Sequence, residues 1–416
     1  MHIYFSGIGG VALGPLALIA KDSGHNVSGS DISKSRYTQI MEDNGVPVYY
    51  DQSGEAIKNT HNRNKIDWFV MTSALPTDHP ELIFAKENGI KISKRDELIN
   101  QILDQNKLKL IAIAGTHGKT TTTGMIIWLF KQIKIPISYS VGTNISFGPS
   151  GQYKDKSEYF VYEADEFDRN FLAFKPYLSV IANVDYDHPD TYPNKQDYLE
   201  AFRQFCKQSK ICIGLENDKQ KLNCSNIEVS KDSTKQKILL PGAHNRSNAW
   251  LAVSAIHKLT SVDIPKLISI INDFPGTERR FEKLSINLYT DYAHHPAEIK
   301  ATISAAKELS QNVVAIYQPH QNLRQYQIKD LYKDSFKDIK KVYWLPTYLS
   351  RESDLDILNP DDLIKYLDNP EVAEVAELNN KLIKSIDKHL ANGDLVIAMG
   401  AGNIDEWLRA NYSTKK

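Results

Sequence analysis

The sequence has almost no cysteine: three in 416 residues, at Cys206, Cys212 and Cys224. Three thiols cannot build a disulfide framework, and their spacing misses the C-x-x-C pattern of zinc and redox sites. They read as small buried thiols of a reducing compartment. Long apolar runs are also missing. None approaches the ~20 residues a membrane span needs. The opening Met1-His2-Ile3-Tyr4-Phe5-Ser6-Gly7 lacks the basic head and apolar stretch of a signal peptide. A cytoplasmic protein is expected. Neither charge is in excess, with 50 Lys and Arg against 51 Asp and Glu. That balance removes the electrostatic case for a nucleic-acid or membrane partner. There is no tandem repeat and no low-complexity tract, and only the polar tail 413–416 reads as frayed.

What is present is a repeated local grammar. An apolar run reads as a buried strand, a glycine-containing turn follows, and a helical pattern comes next. That alternation predicts parallel sheets covered by helices, an α/β fold. The first instance is Ile3-Tyr4-Phe5, the turn Gly7-Ile8-Gly9-Gly10 and a helix to about Ser23. A short strand around Val27 ends at Gly29-Ser30-Asp31, and Trp68-Phe69-Val70-Met71 is a further strand. The second instance starts at Leu110–Ala114 and continues into a helix ending near Lys131. The third begins at 284–288 and includes Val313–Tyr317 and Leu395–Met399. Polar stretches at 104–109 and 273–281 are the candidate boundaries, giving domains at 1–107, 108–280 and 281–416. The Lys-, Asn- and Ser-rich segment 207–237 reads as edge strands and loops.

The sharpest signal is Gly115-Thr116-His117-Gly118-Lys119-Thr120-Thr121, set between an apolar strand and a helix. Glycines let backbone N–H groups approach phosphate oxygens, and the helix N-terminus adds positive potential. A Lys ammonium reaches the terminal phosphates, and the next hydroxyl can ligate Mg²⁺. The general pattern has a glycine where this chain has Ile113, which implies a shorter loop; the bland alternative is an ordinary strand–turn–helix corner. The Gly7–Gly10 turn, with Asp31 after the next strand, is weaker. It fits a diphosphate cradle, a nicotinamide dinucleotide site or simply a tight turn.

Acids and imidazoles gather at strand ends. Glu163-Ala164-Asp165-Glu166 and Asp168 follow Tyr159-Phe160-Val161. Carboxylates this close repel one another unless cations or solvent intervene, so the segment is either a Mg²⁺ site or a solvated acidic turn. The strand 179–184 ends in Asp185-Tyr186-Asp187-His188, which offers ligands for a second metal. Asn245 and Asn248 open a helix, where amides either read an adenine or cap the helix. Arg279-Arg280, Asp291-Tyr292-Ala293-His294-His295 and Gln318-Pro319-His320 with Arg324 complete the set. Arginine suits a developing phosphoryl charge.

In this order, the motifs GIGG, GSD, GTHGKTTTT, EADEFDRNFL, NVDYDH, HNRSNA, RRFE, DYAHHP, QPH and GAGNI resemble the Mur ligase family across nearly the whole chain. The resemblance implies three α/β domains: a Rossmann-like N-terminal domain for a UDP-sugar, a central P-loop ATPase-like domain for ATP and Mg²⁺, and a Rossmann-like C-terminal domain that brings the amino acid and closes. It implies an ATP-dependent ligase of cytoplasmic peptidoglycan precursor synthesis. That enzyme joins the lactyl carboxylate of UDP-N-acetylmuramate to L-alanine through an acyl phosphate, as a monomer or weak homodimer. By carry-over, Gly7, Ile8, Gly9, Gly10, Ser30 and Asp31 bind the UDP-sugar. Gly115, Thr116, His117, Gly118, Lys119, Thr120, Thr121, Asn245, Asn248 and Arg280 bind ATP, and Thr120, Glu163 and His188 hold metal. Lys119, His188, Asp291, His294, His295 and Arg324 form the catalytic set.

This chain departs from the family pattern in places. Phe202 stands where several relatives carry a modified lysine, which favours the L-alanine-adding branch. Ala12-Leu13-Gly14-Pro15 instead resembles the branch that recycles a murein tripeptide. Thr290 replaces an Asp, and Gln321 replaces an Arg common after QPH. Those two positions motivate a third reading, a nucleotide- and UDP-sugar-binding regulator with impaired turnover.

Overall fold

In a computed structural model, the protein is described at residues 1–72, 75–188, 191–230, 237–350, 352 and 356–412. The polar tail and part of the 207–237 segment lie outside those residues. The described chain divides into two compact units: residues 1–238 with 248–275, and residues 239–247 with 276–416.

The first unit carries two sheets. The first contains β1 (His2–Ser6), β2 (Asn26–Ser30), β3 (Val48–Tyr49), β4 (Trp68–Met71) and β5 (Lys91–Ser93), in the order β3-β2-β1-β4-β5. All its pairings are parallel. The second contains β6 (Lys109–Ala114), β7 (Ile137–Ser140), β8 (Gly151–Gln152), β9 (Tyr159–Glu163), β10 (Leu178–Ile181), β11 (Ile211–Gly214) and β12 (Ile227–Val229). Its order is β12-β11-β10-β6-β9-β7-β8, and only the β7–β8 pair is antiparallel. Helices on both faces bury β1 completely and β6 except at Lys109. This is why both strands are continuous apolar runs rather than alternating ones. β1 and β6 are also the strands at which the connections reverse direction. Ligand crevices of open α/β sheets form at the carboxyl ends of such strands. The three cysteines are buried free thiols in a core shared by the helices beneath these sheets.

The second unit carries one sheet: β13 (Glu282–Ser285), β14 (Leu288–Asp291), β15 (Val313–Tyr317), β16 (Lys341–Trp344), β17 (Ala373–Val375) and β18 (Leu395–Met399). The order is β13-β14-β18-β15-β16-β17, with only β13–β14 antiparallel. Two apolar cores lie on its opposite faces.

Three local expectations are corrected. The 207–237 segment contains the helix Glu216–Leu222, which buries Leu222 and Asp218 among its lysines and is amphipathic despite its polar composition. The stretch 284–288 is not one strand but the turn of the β13–β14 hairpin, with a register shift between Lys283 and Ser285. The strand 179–184 is shorter than read: β10 ends at Ile181, and Asn183 braces the neighbouring loop with its carbonyl and its side chain. No helix among the described residues is long and apolar enough to cross a membrane.

Candidate active site

The turn 115–121 links β6 to the helix Lys119–Gln132, whose N-cap is Gly118 at φ +80°, ψ −5°. A Cβ there would stand 2.6 Å from Asn248 Oδ1, so both conformation and space demand glycine. The loop is braced from two sides: the His117 N–H donates to Asn183 Oδ1, just past β10, at 2.9 Å, and the Thr116 hydroxyl lies 2.7 Å from the hydroxyl of Tyr198 on the helix Lys195–Gln208. Thr120 and Thr121 are buried in the first helical turn. The Thr120 hydroxyl donates to Glu163 Oε1 at 2.7 Å, and the Gly142 N–H donates to Glu163 Oε2 at 3.0 Å.

Lys119 folds back into its own loop. Its ammonium donates to the Gly115 carbonyl at 2.6 Å and to both oxygens of Glu166 at 2.9 and 2.7 Å. Burial works against the Lys119 charge, but Glu166, Asp165 and Glu163 outweigh it and hold the pKa above its ordinary value. His188 stands with Nε2 3.6 Å from Glu166 Oε1 and 3.9 Å from Asp187 Oδ2. Burial lowers its pKa, yet Glu166 and Asp187 leave it raised. Sequence reasoning does not separate Glu166 from its acidic neighbours, because nothing local marks it as the one with no exposed surface.

No group of three or more His, Cys, Asp and Glu among the described residues is arranged to hold a metal ion. Mg²⁺ does not require one. It takes one or two protein oxygens and fills the rest of its shell with phosphate and water. The Thr120 hydroxyl and Glu163 carboxylate are such a pair, so the residues present fit Mg²⁺ bound with a nucleotide phosphate.

At the carboxyl end of β1, the Gly9 N–H donates to Asp31 Oδ2 and the Ile32 N–H to Asp31 Oδ1, both at 2.8 Å. A Cβ on Gly9 would come within 2.9 Å of that carboxylate. Asp31 therefore shapes the Gly7–Gly10 turn through its backbone. The Ser30 hydroxyl donates to Glu81 Oε2 at 2.8 Å and accepts from Gln52 at 3.1 Å. Glu81 is fully buried and also accepts from Tyr4 at 2.8 Å and Ser6 at 2.6 Å. Sequence reasoning missed Glu81, which lies in a helix first turn far from any glycine motif.

In the second unit, Asp291 at the end of β14 accepts from the Phe281 N–H at 2.6 Å and the Ala293 N–H at 2.8 Å. Burial raises its pKa, opposed by Arg280 and these N–H groups. Arg280 lies over the Tyr292 ring, 5.1 Å from its centroid. His294 Nδ1 is 3.1 Å from the Tyr292 carbonyl, and Arg324 Nη1 is 2.5 Å from His294 Nε2. A proton on Nδ1 satisfies both contacts. Burial, and less strongly Arg324, lower the His294 pKa, against the Glu298 carboxylate 3.6 Å from Nδ1. His295 is used differently, as the N-cap of the helix Pro296–Leu309. His320 stacks on Tyr348, and burial and then His294 and Arg324 push its pKa down to about 4. Asn245 donates to the Pro241 carbonyl at 2.9 Å, while Asn248 packs against Gly118 in the first unit. Of the two departures, Thr290 finds a side-chain partner, whereas Gln321 is held through its backbone. The buried Thr290 donates to Asp405 at 2.8 Å, and the Gln321 N–H donates to the Tyr348 carbonyl at 2.8 Å.

Comparison with known proteins covers most of the chain. Residues 2–107 match the Mur ligase family catalytic domain, 113–222 the Mur ligase middle domain and 279–402 the Mur ligase glutamate ligase domain. The UDP-N-acetylmuramate–L-alanine ligase of Clostridium perfringens is 31% identical, over 97% of this chain and 95% of that protein. The ligase of the same name from Clostridium tetani is 33% identical, over 97% and 96%. The fold is shared with the UDP-N-acetylmuramate–alanine ligase of Thermotoga maritima, at a TM-score of 0.78, 24% identity and coverage of 99% and 98%. It is also shared with a murein peptide ligase from Psychrobacter arcticus, at 0.64, 22%, 99% and 98%. With three family domains in sequence and relatives above 30% identity along 97% of its length, the chain belongs to the Mur ligase family of ATP-dependent, amide-bond-forming ligases.

Proposed function

We propose that this chain joins L-alanine to the lactyl carboxylate of UDP-N-acetylmuramate, with ATP activating that carboxylate as an acyl phosphate. The observation that carries the chemistry is the Thr120–Glu163 pair beside Lys119 in the first turn of a helix. The amine is supported by the activity named for the Clostridium relatives and by Phe202, an apolar core residue rather than a lysine near the metal.

Bound at Thr120 and Glu163, Mg²⁺ would neutralise charge on the ATP phosphates. The chain's own part is positioning and electrostatics, which dominate phosphoryl transfer. Gly115, Gly118 and the helix N-terminus present N–H groups to phosphate oxygens. Lys119 supplies a positive charge next to them. On the second unit, neutral His294 is the group suited to take a proton from the incoming ammonium. A substrate carboxylate that draws Arg324 to itself frees His294 Nε2 for that proton. Asp291 sets the backbone at Phe281 and Ala293, and so the approach of Arg280 and His294. The Gly7–Gly10 turn, with Ser30 and Asp31, serves the sugar nucleotide.

The test is phosphate release from ATP and Mg²⁺ with UDP-N-acetylmuramate, offering each amino acid and the murein tripeptide singly. Release with L-alanine that depends on the sugar nucleotide is expected, and Lys119→Ala is expected to abolish it. Release with the tripeptide alone would overturn the amine assignment. Near-normal turnover of Lys119→Ala would overturn the assignment of the phosphate loop.

A further inference from the structure

We propose that Glu166 is a positioning residue for phosphoryl transfer, one that competes with nucleotide phosphate for the Lys119 ammonium. The inference rests on the reading of 115–121 as the phosphate loop. Glu166 has no exposed surface. A carboxylate taken wholly out of water is costly unless it is paired and hydrogen-bonded. Its main partner is Lys119, which reaches both oxygens. Its second neighbour is His188, 3.6 Å from Oε1. The Glu166 carbonyl is itself fixed by the Tyr192 hydroxyl at 2.7 Å.

The surrounding loop is built to keep Glu166 there. It turns through Asp168 and Arg169, both left-handed at φ +53° and +56°. The loop is tied to residues just before and within the helix Arg95–Gln105 at three points. Lys94 meets Asp168 at 2.7 Å, Arg95 meets Asp165 at 3.3 Å, and Asn100 donates to the Ala173 carbonyl at 3.1 Å. These ties and the Tyr192 hydrogen bond hold the backbone around Glu166, so a phosphate draws Lys119 away against this carboxylate. When a phosphate draws Lys119 away, the Lys119–Glu166 contact must be given up, and it re-forms when the phosphate leaves. Glu166 thus weakens nucleotide binding while it keeps Lys119 aimed into the loop and His188 beside it.

The experiment measures affinity for a non-hydrolysable ATP analogue by calorimetry, together with steady-state turnover, for Glu166→Gln, Lys119→Met and the double variant. Glu166→Gln keeps the shape and removes the charge. Its Kd is expected to fall by about threefold to tenfold, the scale of a lost charge-assisted competitor. Its kcat is expected to fall by about tenfold or more, since Lys119 and His188 lose their alignment. In the Lys119→Met background, Glu166→Gln should give a clearly smaller gain, limited to the carboxylate's direct repulsion of the phosphates, because the competed group is gone. Glu166→Asp, which keeps the charge but draws it back from Lys119, is expected to show a smaller gain in affinity and the same loss in kcat. An unchanged or weakened affinity in a folded Glu166→Gln protein would overturn the proposal, as would an equal effect with and without Lys119. If Lys119→Met alone keeps wild-type affinity and turnover, the underlying reading of the loop fails instead.

Discussion

Gly118→Ala puts a number on how tightly the phosphate loop is built. Gly118 sits at φ +80°, a left-handed conformation that costs an L-residue with a Cβ roughly 1–2 kcal/mol. The second cost is steric. The new Cβ would lie 2.6 Å from Asn248 Oδ1, 3.0 Å from Nδ2 and 3.2 Å from Cγ. The whole amide faces it, so a flip of the amide relieves nothing, and Asn248 is buried with little room to retreat. Overpacking of this kind costs about 1–3 kcal/mol. The total is about 2–5 kcal/mol, read as a lowered urea midpoint. Any shift of residue 118 also moves the His117 N–H off Asn183, and nucleotide affinity is expected to fall by about tenfold or more. Asn248→Ala removes the obstacle but not the strain. The double variant should therefore recover the steric share of the stability loss, in a clearly non-additive cycle. A Gly118→Ala protein that unfolds at the wild-type midpoint would refute the reasoning. So would one whose loss simply adds to that of Asn248→Ala.

Two further outcomes are expected. Phe202 is fully buried, with ring centroids 5.1 Å from Phe171 and 5.0 Å from Tyr198. Phe202→Ala should cost about 3–5 kcal/mol of stability, and added bicarbonate should leave its turnover unchanged; a bicarbonate effect on the wild-type protein would show that a modified lysine acts elsewhere. Burial pushes the Asp218 pKa up from 3.8 to about 6, against the Val184 N–H that it accepts. The native state then binds more protons than the unfolded state between about pH 4 and pH 6, so stability falls as pH rises through that window. The fall is at most about 3 kcal/mol. Asp218→Asn keeps the acceptor and should lose that slope, ending more stable than wild type above pH 6; parallel stability–pH profiles would sink this account.

Much of the fold was legible because its signals are local. Trp68–Met71, Val313–Tyr317 and Leu395–Met399 read as strands from apolar runs alone, and each is a strand with those bounds. The helix Glu216–Leu222 was illegible because five of its seven residues are charged or polar on the exposed face, and its two buried side chains include an Asp. The role of Asn183 lies outside its own segment, in the 115–121 loop that it braces. At the site, the loop Gly115–Thr121 was readable as a unit, since glycine, lysine and hydroxyl at that spacing carry their own physics.

The sequence by itself determined the α/β alternation, the turns at strand ends and the residue types gathered there. Those properties depend on neighbours within one strand, turn and helix. Tertiary structure alone decided which of four carboxylates takes the lysine. Glu166 meets Lys119 across 47 residues, Glu81 gathers hydroxyls from 51 to 77 residues away, and Thr290 finds Asp405 across 115. A carboxylate's role follows from whether it is removed from water and what then faces it. Both are properties of the packed chain rather than of any stretch along it.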